Sequence, residues 1–325
     1  MTAMQGTNKC SKSSWVATLA LLLLAWTAAS AQGAEEQLSA AQQMLAAGDW
    51  VGARDRFETK LAADPANQAA QSGEVEATEK IALSARAAGR MDEALATLIE
   101  ARKLVPHNAH LLFDLGMQEE EMRLFYDADQ TLAEAENLAP NEPDVLYAVA
   151  RVKMDRGDLA GAQSHMESYL KLRPSDASAH FGLGKVFQIG LEFDRARQEF
   201  LRSLELQPVQ TESYYELGDL ALKQGDYEEA LTRFNKALER DPNHGGALEG
   251  AGEAYFKQKK YDQARESLER AVAASPNYAP SHYYLGLTLA RLGRKEDSAR
   301  ELDRANQITE MEKKNSNSRI QQTEN

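Results

Sequence analysis

Apolar residues recur every three or four positions along most of the chain, and short polar breaks separate the segments that carry this pattern. The clearest example is Tyr214–Pro242, which is broken once, at Gly225. A spacing of three or four is typical of one face of an α-helix, so this stretch predicts a helix–turn–helix hairpin. Gly218 and Ala230 are small enough for the two helices to approach to roughly 8–10 Å. Gly225 suits the left-handed conformation that ends a first helix, and the proline suits the stop after a second.

The same hairpin is repeated along the chain, usually with a step of 34 residues. The prolines that end successive hairpins are Pro65, Pro106, Pro140, Pro174, Pro208, Pro242 and Pro276. The small residue near the start of each second helix is Ala53, Ala94, Ala128, Ala162, Ala196, Ala230, Ala264 or, in the last copy, Ser298. The small residue of the first helix is Gly116, Gly184, Gly218, Gly252 or Gly286, with alanine instead at Ala41, Ala82 and Ala150. This registration predicts an all-α protein of about eight stacked hairpins.

The repeated pattern resembles that of the tetratricopeptide repeat family over about residues 34–312. That family has Leu-Gly and Tyr in the first helix, and Ala, Phe, Ala and Pro through the second; residues 211–244 match it almost completely. The resemblance implies an α-solenoid, wound as a right-handed superhelix, whose first helices line a concave groove. The approximate units are 34–67, 68–108, 109–142, 143–176, 177–210, 211–244, 245–278 and 279–312, followed by a polar tail at 313–325 that we expect to be disordered.

Two copies depart from the common pattern. Seven extra residues between Pro65 and Ala94 correspond to about two helical turns. We interpret them as a longer first helix, from about Asn67 to Ala88, and the alternative is a loop insertion near Gly73. The last copy carries polar residues where the others are apolar, which predicts a solubilising cap from Arg294 to about Lys314, because a terminal repeat needs a polar outer face.

Two positions of each first helix are free of the repeat pattern, and the resemblance places both in the groove. The first position holds Phe113, Tyr147, Phe181, Tyr215, Glu249 and Tyr283. The second holds Met117, Arg151, Lys185, Asp219, Glu253 and Leu287. Aromatic rings can hold an extended peptide, and a change from basic to acidic charge can fix its direction. The alternative is that these residues form ordinary packing and solvated surface. Co-chaperone repeats of this family hold the terminal carboxylate of a partner with Lys and Asn side chains from successive first helices. The position that should carry this Asn has none in these six repeats, which argues against such a carboxylate clamp.

Composition narrows the class of partner. The 325 residues are 43% apolar and 27% charged, with a formal net charge of −13. A nucleic-acid binder needs clustered Lys and Arg to neutralise phosphates, so the acidic balance argues against one. It also argues against adhesion to an anionic membrane surface.

The N-terminus predicts export. Lys9 and Lys12 precede an apolar run, and the small residues at 29–31 suit a signal peptidase, so we interpret residues 1–31 as a secretory signal peptide. An uncleaved membrane anchor is the alternative, because the run approaches the length that spans a bilayer. Cys10 precedes the run and would leave with the signal, so that the mature chain has no cysteine. The expected location is a bacterial periplasm, with secretion or membrane anchoring as alternatives.

The sequence predicts no catalytic residue, metal site or cofactor. It has no Gly-rich phosphate loop and no His-Glu-x-x-His. His107 and His110 have H-x-x-H spacing but lack a convincing third ligand, and we interpret them as surface histidines. His180 and His282 occupy equivalent repeat positions and are expected to be packing residues.

These observations favour a non-enzymatic, exported scaffold that binds a partner protein or peptide in its groove. One alternative is an accessory subunit of an envelope enzyme complex. A catalytic subunit is disfavoured because the segment that follows residue 312 is too short for a separate catalytic domain. Another alternative is a self-assembling structural protein whose repeat ends stack between chains.

Overall fold

The computed structural model describes the backbone of residues 35–323 and the side chains of residues 35–314. The predicted signal peptide lies outside this range. In the described range the regular elements are helices, without strands. In chain order they are α1 (35–46), α2 (Trp50–Ala63), α3 (Gln68–Ala87), α4 (Met91–Leu104), α5 (Ala109–Glu121), α6 (Phe125–Leu138), α7 (Pro143–Asp155), α8 (Leu159–Leu172), α9 (Ala177–Ile189), α10 (Phe193–Leu206), α11 (Thr211–Lys223), α12 (Tyr227–Leu238), α13 (Gly245–Lys257), α14 (Tyr261–Ala274), α15 (Ala279–Arg291) and α16 (Lys295–Thr323). None of these described helices combines the length and the apolar content that a membrane span requires.

The prediction of an all-α solenoid of helix–turn–helix repeats is confirmed in each of the two compact units into which the chain divides, Met1–Arg156 and Gly157–Asn325. In the first unit α3 packs against α4 and α5 against α6, and the first helices α3, α5 and α7 contact one another in sequence. In the second unit α9 packs against α10, α11 against α12, α13 against α14 and α15 against α16. Each of these hairpins therefore buries its apolar face against its neighbours within the unit.

The helices of a hairpin cross where small residues meet a bulky one. A Cβ added at Gly218 would lie 2.7 Å from the ring of Phe234, so only glycine allows this approach. Ala230 is fully buried at the same crossing. The other repeat-position glycines stand equally close to a second-helix side chain, and all the repeat-position alanines from Ala53 to Ala264 are fully buried.

The turn between the two helices places one residue in the left-handed region. Glycine occupies this position at Gly48, Gly89, Gly157, Gly225 and Gly293, with φ between 73° and 86°. In three repeats the residue is instead Arg123, Leu191 or Lys259, with φ of 61–63°. All three side chains are exposed, and a left-handed conformation of such residues costs roughly 1–2 kcal/mol.

The seven extra residues of the second repeat lie in its first helix. Helix α3 has 20 residues, whereas α5, α7 and α9 have 13 each. The side chain of Asn67 caps its start by accepting a hydrogen bond from the Ala70 amide at 2.9 Å. Gly73 is part of the helix, and a Cβ there would lie 2.3 Å from the ring of Phe57. The extra turns thus extend α3 without interrupting its packing.

The last helix is longer than expected. Helix α16 has 29 residues, and its backbone continues as helix to Thr323, into the polar segment 313–325 that the sequence predicts to be disordered. The reason is that residues 295–325 contain neither glycine nor proline, and nothing in the sequence ends the helix after its packed part. Ala305 and Ile308 are buried in the part of α16 that follows its contact with α15, while Glu310 to Lys314 are exposed.

Candidate partner-binding surface

The two first-helix positions that the repeat pattern leaves free lie one turn apart and share one face of their helix. In the second unit these pairs are Phe181 and Lys185 on α9, Tyr215 and Asp219 on α11, Glu249 and Glu253 on α13, and Tyr283 and Leu287 on α15. Helix α11 contacts α13, and α13 contacts α15. Side chains from three successive first helices are therefore neighbours.

Two of the predicted aromatic residues of this unit, Phe181 and Tyr215, pack on the core of their own hairpin. The rings of Phe181 and Phe200 lie 5.6 Å apart between centroids, and Tyr215 makes the equivalent contact with Phe234 at 6.1 Å. Tyr215 also covers Gly246, where an added Cβ would lie 2.8 Å from its ring. Tyr283 differs, because it is 48% exposed. It is the ring in this row that projects most toward solvent.

The two predicted cations are paired with carboxylates of a neighbouring first helix. In the second unit Lys185 on α9 donates to Glu216 on α11, with 2.6 Å between Nζ and Oε1. In the first unit Arg151 on α7 donates to Glu120 on α5 at 2.6 Å. Both contacts therefore bridge consecutive repeats. Neither cation is left available as a free positive charge for an acidic partner.

An acidic surface remains on α11, α13, α15 and the residue that precedes α15. It comprises the side chains of Tyr215, Asp219, Glu249, Glu253, Tyr278 and Tyr284. Glu253 accepts a hydrogen bond from the Tyr284 hydroxyl at 2.6 Å and lies 3.6 Å from Lys257 Nζ. Asp219 accepts from Lys223 Nζ at 2.6 Å. Glu249 has no cationic partner among the described side chains.

Electrostatics singles out Glu249 within this acidic surface. Burial, and after it the negative charges of Glu253 and Asp219, raise the pKa of Glu249 to about 7. Burial also raises the pKa values of the Tyr215 and Tyr278 hydroxyls, and the negative charges of Asp219 and Glu249 add to both shifts. The surface thus holds more negative charge than its own lysines neutralise, and a cation placed there would be stabilised.

The first unit contributes a different environment. Phe113 and Met117 on α5 pack against the core of α5, α6 and α7. Phe113 also lines a cavity of about 220 Å³ beside His110, and their rings meet edge to face at 6.5 Å. Tyr147 is half-buried on α7. These side chains offer little free aromatic surface.

The histidines of the second unit do more than pack. His180 Nδ1 lies 2.6 Å from Glu199 Oε2, and its Nε2 lies 3.2 Å from the Pro174 carbonyl oxygen. His282 makes the equivalent contacts with Glu301 and Pro276 at 2.6 and 3.1 Å. Each ring joins a first helix to its second helix and to the preceding turn, which makes it a structural tie.

The sequence pattern did not identify several residues of the acidic surface. Glu249 stands at the first groove position, but it is the one residue there that is not aromatic, so the sequence did not predict it to bind a partner. Tyr278 precedes α15, outside both columns, so helix periodicity could not find it. Tyr284 lies next to a column residue and is recognised only by its hydrogen bond to Glu253.

Known structures share this fold. A tetratricopeptide repeat protein from Parabacteroides merdae is similar with a TM-score of 0.59 and 20% identity, over 72% of this chain and 93% of that one. The Cut9–Hcn1 hetero-tetramer of the APC/C is similar with a TM-score of 0.58 and 18% identity, over 84% of this chain and 52% of that one. Identities this low show the fold alone. No match is found among curated protein sequences.

The sequence also matches a family model. The model described as tetratricopeptide repeat matches residues 79–121, 147–211, 215–279 and 251–309. These ranges together cover more than half of the chain and fall in both units. The chain therefore belongs to the tetratricopeptide repeat family.

Proposed function

We propose that the protein is a non-enzymatic scaffold, exported to the cell envelope, whose acidic surface binds a basic, extended segment of a partner protein. The observation that carries this proposal is the crowding of Asp219, Glu249 and Glu253 among tyrosine side chains. Membership of a repeat family supports the protein-binding class, because stacked repeats create extended binding surfaces. Residues 1–31, with their signal-like pattern, support export.

Charge complementarity selects a basic segment over an acidic one. Lys185 is already paired with Glu216, and Glu249 has no cationic partner among the described side chains, so the surface offers carboxylates in excess of free cations. An arginine or lysine beside Glu249 would form an ion pair in a half-buried setting, where screening by solvent is weaker than at the open surface. Tyrosine rings next to the carboxylates add the possibility of cation–π contacts.

The distribution of the acidic surface over three helices favours an extended segment. Asp219, Glu249 and Tyr284 belong to α11, α13 and α15, respectively. Side chains presented by consecutive repeats suit successive residues of an extended chain better than a single compact group. One basic residue near Glu249 with a second near Asp219 would satisfy the charge pattern.

A peptide titration tests this function directly. The probe is a fluorescein-labelled nonapeptide of alternating arginine and alanine, measured by anisotropy at pH 8, where Glu249 is ionised. We expect Glu249→Gln to weaken binding about tenfold or more, because a hydrogen bond to a charged group contributes about 1.5–3 kcal/mol.

The matched control is Glu266→Gln, which removes the same charge from an exposed position on α14. We expect this variant to bind the peptide within about twofold of the wild-type protein, since exposed charges contribute little. Equal weakening by both variants would reduce the effect to net charge and contradict the proposed site. A peptide with glutamate in place of arginine should not bind.

A further inference from the structure

Three potential metal ligands converge in the first unit. His110 Nδ1 lies 3.0 Å from Glu79 Oε1 and 3.8 Å from Asp114 Oδ2, and one ligand atom of each residue lies within 4.8 Å of the others. Bonds from a first-row metal to nitrogen or oxygen are about 2.0–2.2 Å, which places adjacent ligand atoms about 3.0–3.5 Å apart. The observed separations need only a small side-chain adjustment to reach that geometry.

The backbone holds these side chains on rigid elements. His110 and Asp114 lie one turn apart on α5, so both project from the same face. Glu79 lies on α3, which contacts α5. The extended α3 thus supplies a carboxylate ligand beside His110, whereas His107, the other histidine of the H-x-x-H spacing, does not belong to the cluster.

The electrostatic setting favours an added cation. The carboxylates of Glu79 and Asp114 are both largely buried and converge beside His110, with Lys80 and Arg86 as nearby positive charges and Glu76 as a further negative charge. A bound dication would relieve the repulsion between the two carboxylates.

The cluster is open on one side. His110 is 66% exposed, whereas Glu79 and Asp114 are 27% and 17% exposed. His110 also lines the cavity of about 220 Å³, together with Glu142 and Asp144. A metal held by three protein ligands would keep positions for water, in the manner of sites that exchange a ligand.

We propose that Glu79, His110 and Asp114 form a binding site for a divalent first-row transition metal, with Zn²⁺ as the representative ion. One imidazole with two carboxylates suits this class, whereas Mg²⁺ and Ca²⁺ prefer oxygen ligands alone. The site is independent of the proposed peptide binding, because it lies in the other unit.

Calorimetric titration of the untagged full-length chain with ZnCl₂ tests the site. We expect one site in the wild-type protein, and a loss of affinity in His110→Ala greater than the roughly 10- to 100-fold that removal of an outer-shell partner costs. Glu79→Gln and Asp114→Asn should each weaken binding as well. Cobalt(II) added in place of zinc should give a visible absorption band that His110→Ala abolishes.

His107→Ala is the matched control, since His107 is an exposed histidine three residues away and outside the cluster. It should bind zinc as the wild-type protein does. Far-ultraviolet circular dichroism and thermal unfolding without metal establish that every variant is folded, which is expected because His110 is mostly exposed. Zinc affinity that is the same in wild type and His110→Ala, or no binding at millimolar zinc, would overturn the proposal.

Discussion

Single residues at the hairpin turns differ in how well they suit their conformation. Five of the described turns have glycine with positive φ, whereas Arg123, Leu191 and Lys259 adopt nearly the same backbone with a side chain. No atom crowds the position at Gly225, so the preference for glycine there is conformational and not steric. The three non-glycine turns are therefore sites of stored backbone strain.

Replacement of Lys259 by glycine should stabilise the protein. We expect Lys259→Gly to raise the free energy of unfolding by about 0.5–1 kcal/mol, because relief of the left-handed strain exceeds the added freedom of the unfolded chain. Urea unfolding followed by circular dichroism measures the change. Glu266→Gly, at an exposed position inside α14, is the control and should destabilise by about 1 kcal/mol. Equal destabilisation by both would contradict the strain at Lys259.

Glu249 should make stability depend on pH. Its pKa in the folded protein is about 7 against an ordinary value of 4.5, so the folded state binds the proton more tightly than the unfolded state. The resulting stabilisation is complete below about pH 4.5 and is lost as the pH rises to about 7. The titratable groups that interact with it are Glu253, Asp219, Tyr215, Tyr278 and Tyr284.

A neutral side chain at this position should remove that dependence. We expect Glu249→Gln to be more stable than wild type by about 1–3 kcal/mol at pH 8, and nearly equal to it at pH 4.5. Urea unfolding at the two pH values measures the difference, with Glu266→Gln as the exposed control. A difference that is the same at both pH values would show that the carboxyl of Glu249 is not perturbed.

At the level of the helices, the crossing of each hairpin depends on a few buried contacts. Ala230→Leu should lower the free energy of unfolding by roughly 1–3 kcal/mol, because Ala230 is fully buried beside Phe234 and has no room for a larger side chain. Thermal or urea unfolding measures the loss. Ala273→Leu, at an exposed position on α14, should change stability by less than about 0.5 kcal/mol. An unchanged stability of Ala230→Leu would contradict the assigned crossing.

The helices could be predicted from sequence because each one is determined by local contacts. Gly218 against Phe234 and Gly225 at the turn recur with a fixed spacing, so the period alone reveals the hairpin. The end of α16 could not be predicted in the same way. Polarity suggested disorder, but a polar segment without helix breakers can continue a helix that packing has already started.

The repeat pattern also could not predict how individual aromatic rings pack. Phe181 and Tyr215 occupy groove positions by sequence, yet both rest on second-helix phenylalanines. Which way a ring leans depends on the angle between two helices, and a one-dimensional period does not contain that angle. Removing these rings would therefore disturb core packing as well as any binding surface.

At the level of the whole molecule, the sequence located the two groove positions of the first helices but not how their charges are paired. The second position changes along the chain from basic, at Arg151 and Lys185, to acidic, at Asp219 and Glu253. Pairing across repeats, as in Lys185 with Glu216 and Arg151 with Glu120, neutralises the basic residues. Contacts between residues about 31 positions apart depend on how hairpins stack, which only the three-dimensional structure provides. The metal ligands Glu79 and His110 belong to the same class of contact.

The raised pKa of Glu249 gives the proposed peptide-binding surface a further property. A basic residue bound beside this carboxyl lowers its pKa, so each association near neutral pH releases part of a proton to solution. Linkage makes the relation reciprocal, and a rise in proton concentration must then favour release of the basic segment. In the proposed complex, the pH of the surroundings would thus set the fraction of the protein that has its partner bound.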